Sequence, residues 1–388
     1  MIKAAIVGTG NIANLHMQGL LTFPEQVKVV ALCDIYPEKA EDMKKRYDLK
    51  DARVYENIDR MLAEEEAIDL VHICTPPFVH APLAIKAMEH HCNVIVEKPM
   101  ATCIRECDEM IAAAEQNGVL LSPIAQNRFR NPIWKLKKTI ESGLLGKVCF
   151  AEINSLWWRG ACYYDLWWRG TWEKEGGGPT LNHAVHHIDM LNWIMEEEPT
   201  QVVSMMSNVC HPNSEVEDIS VGCVKYANRS LGRITSSVIH HGEEQGLSMQ
   251  CEFGKIDAPF DIKAEVTMEN GFPVSGGNKE LVEKVKAFYE KIPDLPYEGH
   301  TGQIRDVLEA LQENRKPYIQ GKDGKRTVEV ITALYKAAFL EKTVSFPITK
   351  EDAFYEFEGI LKHAVRFNKK GKSVENFTEQ RITVGNYQ

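Results

Sequence analysis

Long apolar runs, an excess of basic residues and paired cysteines are all missing from this chain. It holds no stretch of about 18 apolar residues, the length that a membrane-spanning helix needs. Its 45 Lys and Arg are outnumbered by 55 Asp and Glu, and the net charge of −10 argues against nucleic acid or an anionic membrane as the main partner. No Cys-x-x-Cys pair occurs among the ten cysteines, so we expect reduced thiols rather than disulfides or a zinc site.

The length of the chain and the position of its first strand set two further expectations. With 388 residues the chain exceeds the roughly 250–300 residues that a single core normally reaches, which predicts two domains. The first apolar strand begins at Ile2 and leaves no room for a secretory signal, so we expect a cytoplasmic protein.

The segment Gly8–Ala13 is a glycine-containing turn between an apolar run and a helix-like stretch. Gly8 permits a tight turn, Gly10 lets the backbone approach a pyrophosphate, and the following helix presents its N-terminus to the phosphates. Asp34 ends the next apolar run, where a carboxylate accepts hydrogen bonds from a ribose 2′-OH and repels a 2′-phosphate. A strand, turn and helix without a ligand is the alternative. The whole pattern predicts a dinucleotide site that prefers NAD(H) to NADP(H).

Strand and helix signals alternate through the first third of the chain and then change character. The early strands are predicted at Ala4–Val7, Val27–Leu32, Leu70–Cys74, Asn93–Val96 and Val119–Leu121. With helices between them, they are typical of a doubly wound parallel sheet, the Rossmann fold. Later runs alternate apolar and polar residues, which predicts a large open, mostly antiparallel sheet with one covered face. These runs are Val148–Ile153, Gln201–Ser207, Ile219–Tyr226, Gly232–Ile239 and Leu247–Phe253.

The change of pattern falls near residues 122–125 and predicts two α/β domains. Residues 1–124 form the NAD-binding Rossmann domain, and residues 125–388 form a substrate-binding and oligomerisation domain with a helical tail. Helical patterns return late in the chain, at Lys279–Lys291, His300–Glu313, Thr327–Glu341 and Ala353–Phe367. Residues 368–388 look like an arm.

The tripeptide Glu97-Lys98-Pro99 closes a strand at the carboxyl edge of the predicted parallel sheet. A nicotinamide lies at that edge in a doubly wound fold. Lys98 can there orient a substrate hydroxyl and stabilise a developing alkoxide. A surface lysine on a loop is the alternative.

A second chemical centre follows the glycines Gly176–Gly178, which are expected to let the backbone pass close to a ligand. The apolar spacing from Pro179 onward predicts one amphipathic helix. Its two polar faces carry Asn182, His186 and Asp189 on one side, and His183 and His187 on the other. Because the helical metal motif His-Glu-x-x-His is absent, we do not expect a metal. A neutral imidazole suits removal of a hydroxyl proton, which favours His186 as the general base.

The run Leu-Trp-Trp-Arg-Gly occurs twice, ending at Gly160 and at Gly170. Flat aromatic faces beside Arg and Tyr donors suit a polyhydroxylated ring, and residues 168–172, nearest the glycines, are the predicted substrate contacts. A structural aromatic cluster under a loop is the alternative.

Together these residues resemble the Gfo/Idh/MocA family, named for glucose-fructose oxidoreductase and inositol dehydrogenase. The resemblance spans most of the chain and rests on the glycine turn with His16, Cys33-Asp34, Thr75-Pro76-Pro77 with His80, Glu97-Lys98-Pro99, Asn127-Arg128-Phe129, the Gly176–Asp189 stretch and Gly299–Ile304. It implies a Rossmann domain followed by an α/β domain whose open sheet often forms the oligomer interface. It also implies oxidation or reduction of a carbinol on sugars, inositols or related compounds.

The family's catalytic lysine maps to Lys98 and its helix histidine to His186. Many members carry Asp where this chain has Asn182, and an amide can position a hydroxyl but cannot take its proton. Asn at this position is similar to members that act at C3 of a pyranose. The predicted cofactor contacts are Gly8, Gly10, Asn11, Ile12, Asp34, Thr75, Pro76, His80, Glu97, Lys98 and Gln126. The predicted substrate contacts are Arg128, Tyr164, Trp168, Arg169, Trp172, Asp189 and His300.

These observations predict an NAD-dependent dehydrogenase that acts on a ring hydroxyl of a sugar or glycoside at C3, giving a 3-keto product. An NAD-dependent enzyme that cleaves glycosides through transient C3 oxidation and elimination is the alternative. An inositol dehydrogenase and a non-enzymatic NAD-sensing protein are weaker readings. The expected partners are the small sugar substrate and further copies of this chain, in a dimer or tetramer formed through the antiparallel sheet.

Overall fold

Two β-sheets with helices packed on them make up the structure, a computed structural model that describes residues 1–65, 67–375 and 377. The strands are β1 Ile2–Val7, β2 Val27–Cys33, β3 Arg53–Tyr55, β4 Leu70–Ile73, β5 Asn93–Val96, β6 Leu121–Pro123, β7 Val148–Trp158, β8 Pro199–Ser207, β9 Ile219–Tyr226, β10 Leu231–Ser237, β11 Ile239–Cys251, β12 Lys255–Ala258, β13 Asp261–Lys263 and β14 Val344–Ser345. The α-helices are α1 Ala13–Leu21, α2 Pro37–Arg46, α3 Ile58–Glu64, α4 His80–Glu89, α5 Ile104–Asn117, α6 Asn131–Glu141, α7 Trp172–Glu175, α8 Pro179–Asn182, α9 Val185–Met195, α10 Lys279–Lys291, α11 Gly299–Glu313, α12 Gly321–Leu340 and α13 Phe357–His363.

The first sheet is parallel and has the strand order β3-β2-β1-β4-β5-β6, the doubly wound order of a Rossmann fold. Its strands are buried on both faces: along β1, Ala5 and Val7 contribute to one apolar cluster, and Ala4 and Ile6 to another. This burial explains why the strands are continuous apolar runs. The sequence analysis missed β3 and α3, and the last strand lies two residues later than predicted.

The second sheet has the order β13-β12-β11-β7-β10-β9-β8-β14, and its neighbours are antiparallel except for the parallel pair β7 and β10. Helices α8, α9 and α12 pack on one face, and Gly222 of β9 lies directly under Leu334 of α12. The predicted run Gly232–Ile239 is divided, because β10 ends at Ser237 and Ile239 begins β11. The predicted fold class is confirmed.

Helix α11 returns to the first domain after the second sheet is complete. Its Ile304 and Val307 belong to the same apolar cluster as Met17 of α1. A Cβ atom on Gly19 would lie 2.5 Å from Ile304 Cδ1, so the two helices approach each other over a glycine. The boundary between residues 124 and 125 stays a prediction, but the core of the Rossmann domain is completed by residues far beyond it.

The segment predicted as a helix at Ala353–Phe367 is instead a 3-10 turn, Ala353–Tyr355, followed by α13. Val374 pairs with Leu166 through an isolated bridge. The rest of the predicted arm, residue 376 and residues 378–388, lies outside the described residues. Within the described chain, the helices fall short of the length and apolar character that crossing a membrane requires.

Candidate active site

The glycine turn before α1 leaves open space where a pyrophosphate is expected. Gly8 has φ +86°, and a Cβ atom there would lie 2.8 Å from the Cys74 carbonyl carbon, so glycine is required. A Cβ on Gly10 would meet nothing within 4 Å. Ile12 is the N-cap of α1, and no side chain of the described residues caps this helix. The amides of Ala13, Asn14 and Leu15 bond to the carbonyls of Gly10, Asn11 and Ile12, so the main chain that borders the open space is the turn around Gly10 at the start of the helix.

Asp34 lies beside this turn at the end of β2. Its Oδ2 accepts hydrogen bonds from the Thr9 amide at 2.7 Å and the Thr9 hydroxyl at 2.8 Å, and its Oδ1 accepts one from the Tyr36 amide at 3.0 Å. These contacts hold a carboxylate where the ribose of a dinucleotide lies. The neighbouring Ile35 is 74% exposed and offers no positive charge for a 2′-phosphate.

Two buried polar atoms at the carboxyl edge of the sheet fit a bound dinucleotide. Thr75 Oγ1 and Gln126 Oε1 are buried without a hydrogen-bond partner in the described chain, so a cofactor would satisfy them. His80 has another role, because its Nδ1 lies 2.8 Å from Pro99 O and its Nε2 lies 2.7 Å from Thr75 O. His80 therefore ties the end of β4, next to Pro76, to the turn after β5.

Lys98, His186 and Asp189 line one cleft between the carboxyl ends of β5 and β6 and helices α9 and α12. Burial lowers the pKa of the Lys98 ammonium, although Glu97 opposes this effect. Burial and the charge of Lys98 hold the pKa of His186 well below its usual range. The cleft therefore presents a neutral imidazole close to the Lys98 amine at neutral pH.

The predicted continuous helix from Pro179 is broken, and this changes the role of Asn182. Helix α8 ends at Asn182 and α9 begins at Val185. The Asn182 side-chain amide donates back to Gly177 O at 2.9 Å, while its main-chain oxygen accepts a hydrogen bond from Lys98 Nζ at 3.1 Å. Asn182 thus orients Lys98 through the backbone, and its side chain closes the turn that the amphipathic pattern could not reveal.

The glycines before α8 allow close packing with protein rather than with a ligand. A Cβ on Gly177 would lie 2.1 Å from the Tyr335 hydroxyl, and one on Gly178 would lie 2.0 Å from Glu217 O. The Glu217 carboxylate accepts hydrogen bonds from the amides of Gly178 and Thr180 and from the Tyr335 hydroxyl. Burial raises the pKa of Glu217 to about 7, although the hydrogen bonds from Gly178 and Thr180 lower it. Glu217 therefore binds the main-chain amides at the start of α8.

Arg128 and Asp189 bind each other instead of standing free for a substrate. Arg128 Nε and Nη2 donate to the two Asp189 oxygens at 2.8 and 2.7 Å, and Nη1 lies 3.2 Å from Asp323 Oδ1. Burial alone would lower the pKa of Arg128, but the two carboxylates raise it above its ordinary value. Arg128 is 3% exposed and held by these carboxylates, and Asp189 lines the cleft as a paired carboxylate. A contact of either residue with a substrate stays a prediction.

The tryptophan-rich segment is divided between the site and the core. The Arg169 guanidinium lies 4.2 Å from the Trp168 ring centroid and 4.3 Å from that of Tyr163, and Nη1 donates to Glu175 at 2.8 Å. Trp168 is half-buried and remains a candidate substrate contact. Trp172 is fully buried against Tyr335 and Phe339.

Tyr164 is also fully buried, and its ring packs on His211. For Trp172 and Tyr164 the structure favours the structural aromatic cluster over substrate contact. His183 packs on Trp157 and Tyr163, and His187 is completely buried. His183 lies in the break between α8 and α9, so the helical spacing does not account for its position, whereas His186 and His187 both belong to α9.

His300 is brought to Glu97, not to an open subsite: its Nε2 lies 3.2 Å from Glu97 Oε1, and His16 Nε2 lies 2.9 Å from the same oxygen. The sequence analysis missed Glu175, Glu217 and His72. A histidine inside the apolar strand Leu70–Ile73 was a signal for His72, whereas the two carboxylates are recognisable only from long-range contacts.

The dinucleotide turn and the cleft define an NAD-binding oxidoreductase built from two α/β units. The chain belongs to the GFO/IDH/MocA family: residues 2–124 match the model of the oxidoreductase family with an NAD-binding Rossmann fold, and residues 133–271 match that of the GFO/IDH/MocA C-terminal domain. This confirms the resemblance seen in the sequence and the NAD cofactor.

Three known proteins illustrate the similarity. The 2,7-anhydro-N-acetylneuraminate hydratase of Mediterraneibacter gnavus is 29% identical over 55% of this chain and 54% of its own length. The D-glucoside 3-dehydrogenase of Escherichia coli is 25% identical over 50% of this chain and 55% of its own length. The WlbA dehydrogenase of Bordetella pertussis, solved with NADH and UDP-GlcNAcA, has a TM-score of 0.77 and 25% identity, covering 90% of this chain and 98% of that one.

Proposed function

We propose that this protein is an NAD-dependent dehydrogenase that oxidises a ring hydroxyl of a sugar or glycoside at C3 to give a 3-keto product. The observation that carries the proposal is the shared cleft of Lys98 and His186 at the carboxyl edge of the Rossmann sheet. Bound NAD supplies the hydride acceptor at this edge.

His186 acts as the general base. Its neutral imidazole accepts the proton of the substrate hydroxyl, while the hydride leaves the same carbon. Lys98, held by the Asn182 main-chain oxygen, donates a hydrogen bond to the substrate oxygen as negative charge develops there. The substrate thus loses one proton and one hydride, and its carbinol becomes a ketone.

Two features support a sugar as the substrate and C3 as the reacting carbon. Trp168 and Arg169 present a half-buried aromatic and cationic surface close to Glu175 and Lys98, which suits the C–H faces and hydroxyls of a pyranose. The relative from Escherichia coli is named a D-glucoside 3-dehydrogenase.

The proposal is tested with a panel of aldoses, glycosides and inositols, measured by the absorbance of NADH and by identification of the product. We expect NADH to form with sugars or glycosides, and mass spectrometry and NMR to place the new carbonyl at C3. Oxidation of inositols alone, or a carbonyl at another carbon, would contradict the proposal.

A second candidate is glycoside cleavage by transient C3 oxidation. The relative named a hydratase favours it, because that name describes a reaction without net oxidation. Oxidation at C3 acidifies the C2 hydrogen, so that a base removes it and the C1 substituent leaves with its electron pair. Water then adds at C1, C2 regains a proton, and the hydride returns from NADH to C3 in the same turnover. This candidate predicts NAD retained on purification, release of the aglycone and no accumulation of NADH.

A further inference from the structure

Four buried titratable side chains from four separate elements form a continuous hydrogen-bonded row beneath the cleft. His72 of β4 lies with its Nδ1 2.8 Å from His16 Nδ1 of α1. His16 Nε2 lies 2.9 Å from Glu97 Oε1, and His300 Nε2 of α11 lies 3.2 Å from the same oxygen. The Lys98 amide donates to the other oxygen, Glu97 Oε2, at 3.1 Å.

The positions of the protons in this row follow from the chemistry of the carboxylate. Burial alone would raise the pKa of Glu97, but hydrogen bonds from His16 and His300 hold it well below its usual range, so the group is ionised. An ionised carboxylate only accepts, so both histidines donate from Nε2. In a neutral His16, Nδ1 accepts from His72 Nδ1, and His72 Nε2 is buried without a partner in the described chain.

A metal ion is the other occupant that these donors suggest, since the ligand atoms of His16, Glu97 and His300 all lie within 4.8 Å of one another. One oxygen, however, serves both nitrogens, at 2.9 and 3.2 Å. These are the lengths of N–H···O hydrogen bonds. These distances therefore fit a proton between each histidine nitrogen and the Glu97 oxygen, and they leave no space for a metal ion.

The row has a consequence for Lys98, which has charged neighbours of both signs. The titratable groups that interact electrostatically with its ammonium are Glu97, His80, Arg169, Glu175, His183, His186 and His300. Glu175 forms an ion pair with Arg169 at 2.8 Å, and these two charges largely cancel. Of the groups that act on Lys98, Glu97 is then the carboxylate whose charge no guanidinium neutralises.

We propose that Glu97, clamped in its ionised form by His16 and His300, is a positioning residue that keeps Lys98 protonated for its interaction with the substrate oxygen. This inference rests on the proposed role of Lys98. Since His300 comes from α11 and His16 from α1, the protonation state of Lys98 depends on the docking of the late helix against the Rossmann domain. The histidines act through Glu97 and do not touch the substrate.

The first experiment measures the pKa of Lys98 without any substrate. Lysines of the full-length protein are acetylated competitively with acetic anhydride across a pH series, and the Lys98 peptide is quantified by mass spectrometry. In Glu97→Gln we expect the pKa of Lys98 to fall by about one unit or more, because the negative charge that raises it is removed. Glu89→Gln, at the exposed end of α4, is the matched control and should leave Lys98 unchanged.

The hydrogen bond from His300 to Glu97 is tested with separate variants. The proposal can then still be tested if Glu97→Gln does not fold. His300→Leu removes a donor to Glu97 and should lower the pKa of Lys98, whereas His300→Gln keeps an N–H donor and should restore most of it. In the active enzyme, the alkaline limb of the kcat/KM profile should move to lower pH in Glu97→Gln and His300→Leu.

Two results would overturn the proposal: an unchanged Lys98 titration in folded Glu97→Gln, or purified protein with one zinc per chain that Glu97→Gln loses. A wild-type protein that oxidises no sugar would refute the proposed function alone, because the labelling experiment needs no turnover.

Discussion

At the scale of single residues, the cleft brings together a lysine, Lys98, and a neutral histidine, His186. The His186 imidazole stays unprotonated because burial and Lys98 lower its pKa. His186→Ala should therefore reduce kcat by roughly 10²–10⁴, the usual contribution of a general base, with little change in NAD affinity. Steady-state kinetics on the sugar identified by the panel, with NAD binding followed by fluorescence, measure both quantities.

His183→Ala is the matched control for this variant. His183 lies three residues earlier, but its ring packs on Trp157 and Tyr163 instead of lining the cleft. We expect a much smaller loss of kcat. Near wild-type turnover in His186→Ala, or a larger loss in His183→Ala, would remove His186 from its assigned role.

We expect Asp34 to set the choice between the two nicotinamide cofactors. Asp34→Ala combined with Ile35→Arg should shift the kcat/KM preference from NAD toward NADP, because repulsion of the 2′-phosphate is lost and an exposed guanidinium is gained. Ile35 is 74% exposed, so the arginine can be accommodated without disturbing the core. A wild-type enzyme that already prefers NADP would contradict this reading. Thr9→Val, which removes one bond to Asp34, serves as a milder comparison.

At the scale of elements, the start of α8 depends on the buried Glu217 carboxylate. Its pKa is raised from the ordinary 4.5 to about 7, so the folded state binds the proton more tightly than the unfolded chain. This group's contribution to the free energy of unfolding should fall as pH rises from about 4.5 to 7, by up to about 3 kcal/mol. Urea unfolding gives the free energy of unfolding of wild type and of Glu217→Gln across that pH range. We expect this free energy to depend less on pH in the variant. The same pH dependence in both proteins would contradict the assignment.

The two tryptophans near α7 should behave differently when replaced. Trp172→Ala removes a ring that is completely buried against Tyr335 and Phe339 and should lower the free energy of unfolding by about 3–5 kcal/mol. Trp168→Ala should instead raise KM for the sugar while the melting temperature changes little. Equal destabilisation by both variants would place Trp168 in the structural cluster as well.

The sequence predicts a helix or strand well when neighbouring residues determine it, and poorly when contacts between distant residues or single side chains do. Local periodicity located Asn93–Val96, Ile219–Tyr226 and Lys279–Lys291 with the bounds that the structure has. It missed β3, which has only three residues at the edge of the sheet. It also continued one helix through residues 183 and 184, because the side chain of Asn182 ends α8 by a contact that spacing does not encode.

The same limit applies to the site. Lys98 and His186, which line one cleft, could be proposed from the sequence because each stands in a short motif with a recognisable chemistry. The pairing of Arg128 with Asp189 spans 61 residues, and that of Glu97 with His300 spans 203. In the sequence these polar side chains look available to bind a ligand. In the folded chain they bind each other, which only the structure reveals.

At the scale of the whole molecule, the uncovered face of the second sheet predicts self-association. Val203, Met205 and Val221 point away from the helices, and Met205 is 82% exposed directly opposite Val221 in the register. A contiguous apolar face of this kind marks an interface. We expect a homo-oligomer in analytical ultracentrifugation, and we expect Met205→Lys with Val221→Lys to give smaller species. Glu152→Lys, on the same face but on β7, is a comparison of similar charge change. A monomeric wild-type protein would contradict the prediction.

The return of α11 to the first domain determines when that domain can become stable during synthesis. The face of α1 around Gly19 is covered by Ile304, which lies 285 positions further along the chain. A nascent chain that has just released its sixth parallel strand from the ribosome still exposes this apolar face and lacks one donor to Glu97. The dinucleotide domain must therefore wait for most of the polypeptide to emerge, and a truncated fragment of its first 124 residues should aggregate when expressed alone.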